Sequence, residues 1–189
     1  HIFLLYRPDK LTVNDFFADL FQAANDSVTF LFSQYAAVHQ HGGMSDRALN
    51  ILLGHALIAG FGGLPLIYMG DELATLNDYG YLEVPEHAHD SRWIHRPRMD
   101  WHLARHRHSD DGAAGQVFRG TKEILQRRKA TPALHAAHPN RIVDLGLSGL
   151  FAHVRAAPTG ALLGLYNMTE HWLNLSEAAV RAHPPKGDW

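Results

Sequence analysis

The sequence predicts an α/β chain in which a helix–turn–strand unit is followed by a small antiparallel β domain, with an N-terminal part of unclear structure. Three observations carry that expectation. An apolar run, Leu64-Pro-Leu-Ile-Tyr-Met-Gly-Asp-Glu72, ends in glycine and two carboxylates, the pattern of a buried parallel strand that delivers polar groups to one end of a sheet. Ahead of it, apolar residues recur at helical spacing. Beyond Thr131-Pro132 the texture changes to short β-like runs separated by Gly and Pro-Thr-Gly signals.

Residues 1–45 are the least legible, with a helix-like stretch from Val13 to Ala24 and an apolar β-like run from Ser27 to Phe32. They are assigned no role. His39-Gln-His-Gly-Gly43 marks a break, and Ser45 is placed to cap a helix carrying Leu49, Leu52, Leu53, Ala56 and Leu57 on one face. Gly60 and the Gly62-Gly63 pair end that helix, and Leu64 to Met69 reads as a strand with Pro65 near its start. Residues 73–112 form a polar insert far longer than an ordinary strand-to-helix loop. A second helix follows from Ala114 to Lys129, with Asp110 or Asp111 near its start and Val117, Thr121, Ile124 and Leu125 on one face. Its closing Arg127-Arg-Lys129 suits the negative end of the helix dipole. The β-like runs are Arg141 to Asp144, Leu150 to Arg155 and Ala161 to Tyr166, and the chain stops at Pro184-Pro-Lys-Gly-Asp-Trp189 without an obvious final strand. The domain division expected is therefore 1–45, 46–135 and 136–189.

At 189 residues, 46% hydrophobic and 19% charged, the chain has the composition of a globular protein that can bury one ordinary core, or one partial core plus a small appended domain. Seventeen Lys and Arg against nineteen Asp and Glu give a formal charge of −2, which argues against nucleic acid or an anionic membrane surface as partner. No apolar run has the length of a membrane span, and the first residues have neither the basic lead nor the cleavage site of a signal peptide. The absence of cysteine removes disulfides and thiolate chemistry and leaves cytoplasmic and secreted locations both open.

Asp71 and Glu72 invite a glycosidase reading, because glycoside cleavage uses two carboxylates flanking one bond. Adjacent strand residues point to opposite faces, so at most one of the two is expected to line a pocket, the other supporting the strand end. Arg92 lies between Asp90 and Arg96 in a tryptophan-containing loop, and reads either as an exposed loop arginine or as a planar partner for a carboxylate or for sugar hydroxyls. Trp93 and Trp101 could stack on sugars or plug the insert into the core. His102, His106 and His108 have partial metal-ligand spacing, but no HExxH pattern accompanies them, and no metal is expected. There is no GxGxxG, P-loop or GxSxG, so no cofactor is expected either.

Gly63-Leu-Pro-Leu-Ile-Tyr-Met-Gly-Asp-Glu72, Leu76-Asn-Asp78, Asp90-Ser-Arg-Trp93, His95-Arg-Pro97 and Ala114-Gly-Gln116, in this order, resemble amylosucrases, members of the α-amylase superfamily (glycoside hydrolase family 13). The likeness runs from about Asp46 to Lys129 and, more weakly, through Tyr166-Asn167. It implies that Leu64 to Met69 is the last strand of a (β/α)8 TIM barrel, flanked by its final helices, and that the β-rich tail is the C-terminal sandwich domain. It implies further that Arg92 is the substrate-binding arginine that pairs with an aspartate at the floor of a glucosyl pocket, with Asp71, Glu72, Asp78 and Asp90 as pocket support.

Amylosucrases act by a retaining mechanism in which an aspartate takes the glucosyl unit from sucrose, a glutamate protonates the departing fructose, and a second aspartate supports the transition state. The glucosyl unit passes to an α-1,4-glucan or to water. Those three carboxylates lie on earlier barrel strands in the family, and the expected His-Asp-Asp signature is absent before Asp46. A whole barrel takes about 250 residues, so the chain is expected to be a C-terminal piece, truncated or rearranged upstream and inactive alone. Sucrose or α-glucan is the expected partner. A sucrose hydrolase or other superfamily fragment, and a non-catalytic carbohydrate-binding module or pseudo-enzyme remnant, are the alternatives.

Overall fold

The computed structural model describes residues 2–4, 11–12, 46–109, 111–169 and 173–182. The features expected at Val13 to Ala24, Ser27 to Phe32, His39 to Gly43, Ser45, Asp110 and Pro184 to Trp189 lie outside these residues. The helical spacing in the sequence forms α1 (Asp46–Phe61) and α3 (Ala113–Ala130), with a short α2 (Trp101–His106) between them. The β-like runs form β3 (Asn140–Val143), β4 (Leu150–Ala157) and β5 (Gly160–Asn167), a three-stranded antiparallel meander. Strand β1 (Ile2–Leu4) joins β5 in parallel, so the described sheet has the order β1-β5-β4-β3. A separate parallel pair links β2 (Leu11–Thr12) to β6 (Leu173–Asn174), and α4 (Glu177–Arg181) follows with Ser176 capping it. The molecule is thus mixed α/β. Among the described residues no helix is long and apolar enough to cross a membrane.

Alternation along β4 and β5 explains how one small sheet serves two cores. One face presents Leu162 and Tyr166 to Ala48, Leu52 and Ala56 of α1 and to Val117 and Ile124 of α3. The opposite face puts Ala152, Val154, Leu163 and Leu165 against Val143, Leu145, Leu175 and Val180. Both faces being covered, the strands read as continuous apolar runs rather than as an alternating pattern. The first cluster crosses the boundary expected at residues 135–136, since helices and sheet contribute to it together.

Tight contacts on the helix-facing side call for glycine at two points. A Cβ on Gly60 would run into the Tyr166 hydroxyl, and one on Gly164 would run into the His153 ring. His153 and Tyr166 stack with ring centroids 5.6 Å apart, and the His153 Nε2 lies 3.1 Å from the Tyr166 hydroxyl.

One expected element is corrected. Leu64 to Tyr68 forms no regular element, Met69 begins a turn, and the segment makes no ladder with any described strand. A strand exists by its hydrogen-bonded neighbours, and none of the described strands runs beside this segment. The described strands also close no barrel. Leu64, Leu66 and Tyr68 are exposed, Leu64 at 88% and Leu66 at 72%, whereas the alternate residues Pro65 and Ile67 are half-buried.

Two outcomes follow from this packing. Burial, reinforced by the nearby Arg155 charge, pulls the His153 imidazole down to about 4 from its ordinary 6.5. Between those values the unfolded chain binds more protons than the folded one, so stability falls as pH drops through the window, by up to ~3 kcal/mol. Urea midpoints measured from pH 7 to pH 4 will show this loss, and a His153→Phe variant will lack that part of it. Arg155→Leu, which strips the donors from the carbonyls of Gly60, His135 and His138, will lower unfolding free energy by about 3 kcal/mol in the same assay.

Candidate functional site

The Leu64 to Tyr68 segment ends in a tight turn whose geometry is set by Gly70. Its φ of 92° is a backbone region that L side chains rarely adopt, and a Cβ there would lie 3.0 Å from the Thr75 Oγ1. The Gly70 carbonyl accepts from Leu73 N–H and Thr75 N–H, each at 3.0 Å, and a 3-10 turn covers Asp71–Leu73. Asp71 Oδ2 accepts the Tyr68 N–H at 3.2 Å, and Glu72 Oε2 accepts the Gly70 N–H at 2.8 Å. The two carboxylates then part company. Asp71 lines a cavity of about 250 Å³ with Tyr68, Met69, Gly70, Thr75, Leu76, Asn77, His95 and Pro97. Glu72 lines a separate, largely apolar groove with Ile67, Phe118 and Leu125.

The polar insert beyond the turn is folded by aspartates acting locally. Asp78 accepts from Gly80 N–H at 2.9 Å, Asp90 from Arg92 N–H at 3.0 Å, and Asp100 from His102 N–H and Leu103 N–H. Each starts a short helical turn, over Tyr79–Glu83, Ser91–His95 and Trp101–His106 respectively. A backbone bond from Asp78 N–H to Ile94 O at 2.9 Å holds the first two turns together, and the Asn77 Oδ1 lies 3.1 Å from the His95 Nδ1. These two bonds hold His95 in the lining of the cavity.

Arg92 does not line this cavity. Its guanidinium makes a bidentate pair with Asp90, Nε at 2.8 Å from Oδ1 and Nη2 at 2.8 Å from Oδ2, with 74% of its side chain exposed. The Arg92 hydrogen bonds, side chain first and backbone second, hold the Asp90 carboxyl down at about 2. Asp78 and Asp90 act through backbone geometry at a remove from the cavity. Trp93 is stacked on His87 at 3.7 Å with Arg96 over its ring, while Trp101 is 67% exposed at the start of α2. His106 spends its Nδ1 on the His102 carbonyl and His108 packs on Phe118, and among the described residues no cluster of three His, Asp or Glu could hold a metal ion.

On α1, His55 shares a 2.8 Å hydrogen bond with the Thr121 hydroxyl of α3. Burial lowers its pKa, against the opposing pull of Asp71 and Glu72. The cavity itself offers a carboxylate, a hydroxyl, a carboxamide, an imidazole and a phenol, a set that suits a neutral polyhydroxyl ligand. With Glu72 directed elsewhere, Asp71 and Glu72 cannot flank one bond as an acid and a nucleophile. Tyr68, Thr75, Asn77 and His95 were not among the residues singled out from the sequence. Their signal was present, since three of them fall inside the quoted Gly63–Glu72, Leu76–Asp78 and His95–Pro97 elements. No protein-family model matches the chain.

Gly70→Ala will destabilise this turn by about 1–2 kcal/mol, because the left-handed backbone becomes strained and the methyl meets Thr75. Equilibrium denaturation reads the loss, and hydrogen exchange at the Thr75 amide reads its local origin.

Proposed function

We propose that residues 46–130 are the closing unit of a (β/α)8 barrel from a sucrose-acting enzyme of the amylosucrase type, and that the cavity beyond Tyr68 is part of its sugar site. The observation that carries this reading is convergence: Gly70 and Asp71, Leu76 and Asn77, and His95 and Pro97, from elements quoted separately for the family likeness, line one cavity. That cavity sits at the C-terminal end of the Leu64 to Tyr68 segment, where barrel enzymes keep their chemistry. The segment's exposed Leu64, Leu66 and Tyr68, opposite half-buried Pro65 and Ile67, fit a strand whose inner face is designed for further strands. In this reading the parent reaction is retaining transfer of a glucosyl unit from sucrose to an α-1,4-glucan, and Arg92 belongs to a part of the glucosyl pocket completed by residues from other strands.

The cavity holds one carboxylate, Asp71, which favours binding without turnover by this chain. The missing acid, nucleophile and stabiliser account for most of the rate enhancement such an enzyme achieves. Incubation of the chain with sucrose will therefore release no fructose above background. A titration with sucrose, glucose and maltose, followed by amide chemical shifts, will give saturable changes at Gly70, Thr75, Asn77 and His95. A flat titration with all three sugars overturns the sugar-site reading, and fructose release overturns the claim of inactivity.

A further inference from the structure

Asn77 and His95 reach the cavity from loop segments 18 residues apart, and their side chains meet there at 3.1 Å. The meeting is enforced by the backbone, since the neighbouring Asp78 N–H is bonded to the Ile94 carbonyl at 2.9 Å. A carboxamide oxygen only accepts, so the proton in the Asn77–His95 bond belongs to the His95 Nδ1. In the neutral ring this leaves Nε2 bare, with a lone pair and no proton.

We propose that Asn77 is a positioning residue that fixes His95 in the Nδ1–H tautomer, and that the His95 Nε2 accepts a hydrogen bond from a hydroxyl of a sugar held in the cavity. This rests on the sugar-site reading above. At about 250 Å³ the cavity falls below the roughly 300–1,000 Å³ of pockets for drug-sized ligands, and suits a single sugar ring better than an oligosaccharide. Asp71, which also lines the cavity, is an acceptor too, so the two sites together select a ligand with several hydroxyl donors. A ligand presenting only carbonyls or ethers would leave both acceptors unpaired.

Long-range nitrogen NMR of the imidazoles in the full chain reads the tautomer directly. Wild-type His95 is expected as Nδ1–H, and Asn77→Ala is expected to return it to the Nε2–H form. Wild-type His95 found as Nε2–H, or unchanged in N77A, overturns the proposal, and the wild-type measurement stands even if a variant fails to fold. In sucrose titrations N77A and H95A should each weaken binding by about three- to tenfold, while H95Q, which keeps an acceptor near the Nε2 position, should retain more affinity than H95A. Sucrose binding that ignores H95A overturns the proposal and leaves the sugar-site reading standing. A wild-type titration flat with sucrose, glucose and maltose, alongside the expected tautomer, overturns that reading, and with it the ligand role given to His95.

Discussion

The carbonyl end of α1 is the point on which the rest of the structure depends. A helix leaves its last carbonyls without intrahelical donors, and α1 has no basic residue in its final turn to supply them. The donors come from elsewhere in the chain. Arg128 of α3 binds the Ala59 carbonyl and, at 2.7 Å, that of Gly63; Arg155 of β4 reaches Gly60; and Asn140 of β3 reaches Phe61. Arg155 also binds the carbonyls of His135 and His138 in the connection between α3 and β3, so one buried guanidinium ties a helix, a loop and a strand. Its charge rests on carbonyl dipoles and on the negative end of the helix. Helices and sheet are joined by this clamp as well as by their shared apolar core.

The clamp has a consequence for the cavity. Arg128 grips the chain on both sides of the Phe61–Gly62 exit, and so fixes where the segment Leu64 to Tyr68 leaves α1. Half-buried Ile67 lines a groove with Phe118 and Leu125 of α3, while Leu66 is exposed and Tyr68 lines the cavity. Two residues later Gly70 turns the chain, and the turn separates Asp71 from Glu72. The location of the cavity therefore follows from how Arg128 holds the chain leaving α1, while its lining, apolar and polar alike, comes from the Gly70 turn and the polar insert.

Much of the local structure was legible. The 3.6-residue spacing of Leu49, Leu52, Leu53, Ala56 and Leu57 marked α1, and that of Val117, Thr121 and Ile124 marked α3, because one face of each is buried. The three β runs were visible as short apolar stretches between turn signals, with β4 and β5 each extending a residue or two further than those stretches. The polar insert was not. Its turns are made by Asp78, Asp90 and Asp100 accepting from amides two or three residues on, a pattern common enough in loops to be overlooked. Arg92 drew attention as a pocket residue, and its bond to its own neighbour Asp90 is an interaction that spacing alone permitted but did not require.

By itself the sequence determined the two long helices and the meander, since each depends on the periodicity or texture of nearby residues, whereas Asp71 and Glu72 part at a 3-10 turn and not through strand alternation. Tertiary structure decided that Leu64 to Met69 has no ladder among the described strands, that Arg155 lies buried on carbonyls, and that Asn77 and His95 meet. Those outcomes turn on hydrogen bonds between groups far apart in the chain, Arg155 and Gly60 being 95 residues distant. Local residue patterns carry no information about which distant donor reaches a given acceptor, and the packing of the core supplies it.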